Sequence, residues 1–246
     1  MVKKQIAYAL AATMIAGAVY VATLPRPAAK SVAAERITQA VTVQALSGTA
    51  LQMDMTESPL TARISAARLT DRGSAAYVLQ KDRCRALGIL LESPEEAESM
   101  RQRLAQSGIE TEIYPCEGQA LTLRVTADAA QLHALTSAIH AVDMAALQPG
   151  RIAQQMDAGD IDAAFARGLM AMLVSDLETA QNAFATAAPA GTHVDAFNHL
   201  MREAIAALQP LTEDALSDTL LTGRMRCAGM HVWFSREALI AQIQTP

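Results

Sequence analysis

The sequence predicts an α+β protein in three parts: an N-terminal transmembrane helix, a βαββαβ unit and an all-α helical bundle. Three observations predict it. Residues 6–24 carry no formal charge, Glu57-Ser58-Pro59 recurs 35 residues later as Glu92-Ser93-Pro94, and from Thr126 onward the apolar period changes from alternating to helical. Apolar residues make up 51% of the 246 and charged residues 18%, which excludes extensive disorder. Aromatics at 4% beside 12 Met favour helix-rich packing over a β-sandwich. The net charge is −5 and no basic stripe is present, which sets nucleic acid aside as a partner.

The first part follows from length. Lys3 and Lys4 precede the nineteen uncharged residues Ile6 to Leu24, and Pro25 and Pro27 stop the run. As a helix it would be about 28 Å long, close to the roughly 30 Å hydrocarbon core of a bilayer. Ala16-Gly17-Ala18 offers a small-residue cleavage site, but the full apolar length favours an uncleaved signal anchor at 1–25. The expected placement is therefore the cell membrane, single-pass, with the bulk of the chain extracytoplasmic. Residues 26–48, with Pro and then Ala, read as a stalk or linker.

The repeat organises residues 49–125. In each copy a Ser, Ser58 or Ser93, stands where an N-cap hydroxyl accepts an orphan backbone N–H, followed by Pro at the first helical position. Ser93-Pro-Glu-Glu96 also has the spacing of a capping box. Gly73 and Gly108 stand where helices end in a left-handed cap. Leu60, Ile64 and Ala67 form the apolar face expected of the first helix; Ala97, Met100 and Leu104 form that of the second. Strands are expected at 50–55, 75–79, 85–91 and 109–114, giving βαββαβ with strand order 4-1-3-2. Both helices would then cover one face of the sheet and leave the other open. Leu121, Leu123 and Val125 alternate with polar residues and predict a fifth strand beside the fourth.

Residues 126–246 read as helices at about 127–146, 160–187, 193–208 and 212–242, a small antiparallel bundle. Pro149-Gly150, Pro189-Ala-Gly191 and Pro210 punctuate them, with Thr192 and Thr212 as N-caps.

The stretch 49–114 resembles a SPOR domain, the small peptidoglycan-binding module of bacterial division and sporulation proteins. The resemblance rests on Leu51-Gln52-Met53-Asp54-Met55-Thr56, Arg85-Ala86-Leu87-Gly88 and Ser93-Pro-Glu-Glu-Ala97, then Leu104 and Gly108. Asp54 stands where the family has Gly, and Thr56 where it has Phe. The resemblance implies a ferredoxin-like, RNP-like βαββαβ fold and binding of peptidoglycan glycan strands on the open sheet face. Side-chain amides, charges and aromatic planes facing outward together are what such a ligand needs. Alternation places Gln52 and Asp54 opposite Leu51 and Met53, and the residues expected to bind are Gln52, Arg85 and Tyr77, then Asp54 and Tyr114.

No catalytic residue, cofactor or metal is expected. HExxH, GxxxxGK[ST], GxSxG and Gly-rich dinucleotide turns are all missing from the sequence. His133 and His140 share a helical face, and His193 and His199 do not align, but neither pair has a third ligand at metal spacing. Asp157, Asp160 and Asp162 lack the Gly and terminal Glu of a calcium loop. Cys227 reads as a small buried hydrophobe, and Trp233-Phe234 as packing under the bundle. Strand order 4-1-3-2 puts Cys84 and Cys116 at opposite ends of the sheet, too far apart for a disulfide. The expected function is a non-enzymatic, membrane-anchored envelope protein that binds peptidoglycan in division or sporulation, with envelope partners on its C-terminal helices. The alternative is an interaction protein that uses a ring-building type of βαββαβ module to assemble an envelope complex.

Overall fold

The computed structural model describes residues 35–70 and 74–244. Among these, six α-helices and two antiparallel sheets form one compact unit from Arg36 onward. The larger sheet contains β2 (Ser47–Thr56), β3 (Tyr77–Gln80), β4 (Cys84–Leu91) and β5 (Glu112–Glu117), in the order β3-β4-β2-β5 that the repeat predicts. The smaller sheet pairs β1 (Ile37–Val43) with β6 (Leu121–Ala127). The helices are α1 (Pro59–Thr70), α2 (Pro94–Gln106), α3 (Ala129–Ala158), α4 (Ala163–Ala187), α5 (Thr192–Leu208) and α6 (Asp218–Gln244).

The N-cap hydroxyls of α1 and α2 follow the predicted chemistry, though of the capping box expected at α2 only the Ser93 half is seen. Ser58 Oγ accepts from Thr61 N at 3.3 Å, and Ser93 Oγ accepts from Glu96 N at 3.1 Å. After α2, Gly108 adopts φ +76°, the left-handed cap that favours glycine. Gly73 lies outside the described residues. The apolar face of α1 differs from expectation, because Ala62 and Ala66 face inward while Leu60 and Ile64 are exposed. Small residues let α1 lie close to the sheet, which turns the larger side chains outward. α2 keeps its expected face: Ala97, Met100 and Leu104 pack on Leu51, Ile89 and Leu91.

Four expectations are corrected. The fifth strand does not join β5. The stretch 37–43, read from sequence as stalk, is the β-branched strand Ile-Thr-Gln-Ala-Val-Thr-Val, and it captures β6 in register from Ile37↔Ala127 to Val43↔Leu121. The chain must turn sharply to do this. Gly118 N donates to Leu46 O at 2.8 Å, and a Cβ on Gly118 would stand 2.5 Å from that oxygen.

The second correction concerns the face expected to be open. α6 packs against it: Tyr77 stacks on Phe234 at 5.1 Å, and Trp233 lies against Gly48. Ala50, Leu87, Cys116, Trp233 and the bundle helices share one buried core. Third, α3 runs through Pro149 to Ala158 and does not stop at 146. Pro149 is buried where α3 crosses α6, at a point so close that a Cβ on Gly229 would sit 3.0 Å from Ala146 O. Tertiary packing outweighs the one helical hydrogen bond that Pro cannot make. A related shift moves the start of the last helix from 212 to Asp218, since Gln209–Thr212 forms a 3₁₀ turn. At α5, Gly191 takes the N-cap position and Thr192 is the first helical residue.

Fourth, the structure does not bear out the single-pass membrane protein. No helix among the described residues is long and apolar enough to cross a bilayer. The segment 1–25 read as the anchor lies outside the described residues.

Candidate functional site

The sequence singled out Gln52, Arg85, Tyr77, Asp54 and Tyr114. Cross-strand register fixes where each one faces, because directly paired residues share a side of the sheet. Tyr77 pairs with Leu87, Leu87 with Gln52, and Gln52 with Glu112, so these form one row on the α6 side. Leu79 pairs with Arg85 in the next row, and Ala50 with Tyr114 in the row on the other flank. Gln52, Arg85, Tyr77 and Tyr114 therefore share a face, as alternation along the strands predicts.

Asp54 does not. Between β2 and β4 the register shifts twice, leaving Gly88 extra on β4 and Met53 extra on β2. Asp54 consequently pairs with Ala86, the neighbour of Leu87, and turns to the other side. Gly88 makes this bulge possible, since a Cβ there would lie 2.7 Å from Met53 Cγ and 2.8 Å from Ser74 Oγ. Alternation assumes an unbroken ladder, and the bulge breaks it.

The four residues on one face differ in access. Tyr77 is half-buried beneath Phe234, and burial pushes its phenol up to about 12. It serves as packing between sheet and bundle and is not presented to a ligand. The other three belong to a small polar cluster with Glu112 and Asp82. Gln52 is buried, and its Nε2 donates to Glu112 Oε2 at 2.8 Å. The Arg85 guanidinium lies 5.1 Å from the Tyr114 ring centroid and donates twice to Asp82, at 2.7 and 3.1 Å. That fork holds the Asp82 carboxyl down to about 2 and raises Arg85 above its ordinary value.

Sequence reasoning missed Glu112 and Asp82. Both had a signal: Glu112 alternates with Tyr114 on the same strand, and Asp82 stands three residues before Arg85 in the predicted turn.

A groove opens beside Gln52 and Glu112, without Arg85 or Tyr114 in its lining. β5 begins at Glu112, so Met53 to Thr56 of β2 have no partner strand on that side. The resulting space, about 570 Å³, is lined by Gln52, Asp54, Glu112 and Thr111, with Arg101 of α2 across it. Arg101 is tied to Glu98 by two hydrogen bonds of 2.8 and 2.7 Å. Asp54 thus rejoins Gln52 at the groove although the two leave opposite faces of the sheet. Donors, acceptors and an unpaired strand edge within one open groove suit a hydroxyl-rich ligand held by several weak polar contacts.

No group of three His, Cys, Asp or Glu among the described residues could hold a metal ion. Cys84 and Cys116 are free, and they pair with Thr56 and Gly48 at opposite ends of β2. Burial pushes the Cys116 thiol up to about 11, which makes it a packing residue and a poor nucleophile. Comparison with known proteins yields no match to a family model, to a curated protein or to a solved structure.

Proposed function

We propose that this protein is a non-enzymatic binding protein whose βαββαβ unit takes peptidoglycan glycan strands in the groove at the free end of β2. One observation carries the reading: Gln52 and Asp54, picked out by the resemblance to SPOR domains, line one open groove together with Glu112 and Arg101. Arg101, anchored by two hydrogen bonds to Glu98, is a pre-organised donor in the groove. Glu112 keeps one carboxylate oxygen for a sugar hydroxyl, and Gln52 fixes the other. Because α6 occupies the Tyr77 side, the site accepts a short stretch of glycan and not a strand laid across the whole sheet.

Co-sedimentation of the full chain with peptidoglycan stripped of its stem peptides tests this. The wild type is expected to pellet with the glycan. Asp54→Ala combined with Arg101→Ala, both in the groove lining, is expected to lower the bound fraction about tenfold, the loss of one or two charged hydrogen bonds.

A second reading has its own supporting observation. The Phe234–Tyr77 stack closes the sheet face with the protein's own helix, which favours an assembly module whose sheet is purely internal. It predicts no glycan pelleting for wild type or variant. Instead, cross-linked complexes would survive both substitutions.

A further inference from the structure

An apolar space lined by none of the groove residues lies between the small sheet and the bundle. It measures about 390 Å³. Leu121, Leu123 and Val125 of β6 form one wall, Leu135 of α3 the next, and Phe197 of α5 and Ile243 of α6 the far side. β6 alternates, so Thr122, Arg124 and Thr126 are exposed while Leu123 and Val125 turn to the bundle. An apolar hollow of this size inside a packed unit forfeits dispersion contacts along its whole lining. Spaces of this size and lining hold small apolar ligands oriented by a few polar groups.

Charge at the hollow decides which ligand. Its buried polar groups are already spent. Arg236 donates to Asp143 at 2.7 Å, to Glu237 at 2.5 Å and to Gln44 O at 2.6 Å, and Gln131 Nε2 donates to Ala187 O at 2.9 Å. Asp143, the carboxylate in the lining, is therefore neutralised by its own partner. Arg36, Arg124 and His193, by contrast, are exposed, and neither arginine forms an ion pair among the described residues; Arg36 stands at the end of the β1–β6 pair, next to Ile37. An apolar interior with an uncompensated cation at its border complements a molecule with an apolar tail and an anionic head.

We propose that this hollow binds a single-chain anionic amphiphile of the fatty-acid class, with the tail along Leu123, Leu135 and Phe197 and the carboxylate at Arg36. The site is separate from the glycan groove and does not depend on it.

Isothermal titration of the full chain with dodecanoate, below its micelle concentration, tests the assignment, with dodecanol as the uncharged control. Saturable one-to-one binding of dodecanoate is expected, with dodecanol several-fold weaker. Leu135→Trp and Leu123→Trp fill the hollow from adjacent walls, and each is expected to weaken dodecanoate at least tenfold while circular dichroism shows the fold intact. Arg36→Gln is expected to weaken dodecanoate several-fold and to leave dodecanol unchanged. The proposal is overturned if dodecanoate does not saturate, or if a folded tryptophan variant keeps wild-type affinity. It also fails if acid and alcohol bind alike, or if the hollow proves to be an interface between two copies, seen as dimerisation that Leu135→Trp abolishes and dodecanoate leaves untouched.

Discussion

Tyr77 carries a measurable signature of the covered sheet face. Its phenol is buried against Phe234, so the neutral form is favoured and titration moves from the ordinary value near 10 to about 12. In the unfolded chain Tyr77 ionises from about pH 10. The stabilisation from the neutral buried phenol is therefore complete below pH 10 and is lost as the pH rises from 10 to 12. Tyr77→Phe should remove this segment of the stability profile, read as melting temperature against pH. Absorbance titration at 295 nm should show one tyrosine ionising late in the wild type and not in the variant. The Asp82–Arg85 pair belongs to the same scale. Asp82 is exposed, so its lowered value reports the hydrogen-bonded fork from Arg85 and contributes little to stability.

Among the elements, the bulged β2–β4 pair has the tightest constraint. At Gly88 any Cβ meets Met53 and Ser74 inside normal contact distance. Gly88→Ala should cost about 1–3 kcal/mol in urea unfolding, the usual range for overpacking. It should also disturb Gln52 and Asp54, whose opposite facing depends on the bulge. At α2 the N-cap is an ordinary one, and Ser93→Ala should cost about 1 kcal/mol without affecting ligand binding. The crossing of α3 and α6 depends on Gly229, whose neighbour there is the Ala146 backbone carbonyl and not a flexible side chain. Pro149 survives inside α3 at this same crossing, where buried contact with α6 replaces the missing hydrogen bond.

Across the whole molecule, Arg236 and Trp233 join what the sequence reads as separate parts. Arg236, 3% exposed, ties α6 to Asp143 of α3 and to the Gln44 carbonyl between β1 and β2. Its replacement by Met leaves the half-buried Asp143 without its cation, with an expected loss of about 2–3 kcal/mol, below the cost of breaking a fully buried pair. Burial already raises the Asp143 carboxyl, with Arg236 opposing the shift, so the variant should shed part of that loss as the pH falls and Asp143 protonates. Trp233 is the single tryptophan and is buried against Gly48 where bundle meets sheet. Its fluorescence should change at the same urea concentration as the far-UV circular dichroism, because sheet and helices share one core. A fluorescence transition that precedes loss of helix would mean that the two separate before they unfold.

Local chemistry was legible in the chain itself. The duplicated Ser-Pro starts, the alternation of β2, β4 and β5, and the strand order that two crossovers impose can be read from residues in sequence. So can the shared face of Gln52, Arg85 and Tyr114, since cross-strand neighbours follow from register. What only the tertiary structure decided was partnership. β6 has an equally good alternation for β5 or for β1, and the choice fell to β1, 84 residues earlier in pairing terms from Ala40 to Arg124. Helix α6 has apolar residues on several sides, so nothing local says that Tyr77 and Gly48 are what Phe234 and Trp233 will meet. The bulge at Met53 arises for the same reason: it depends on Gly88 of β4 and on Ser74 in the connection before β3. A sequence fixes which surfaces must be buried; which surface buries which is settled by the sum of contacts between distant segments, and that sum exists only in the folded chain.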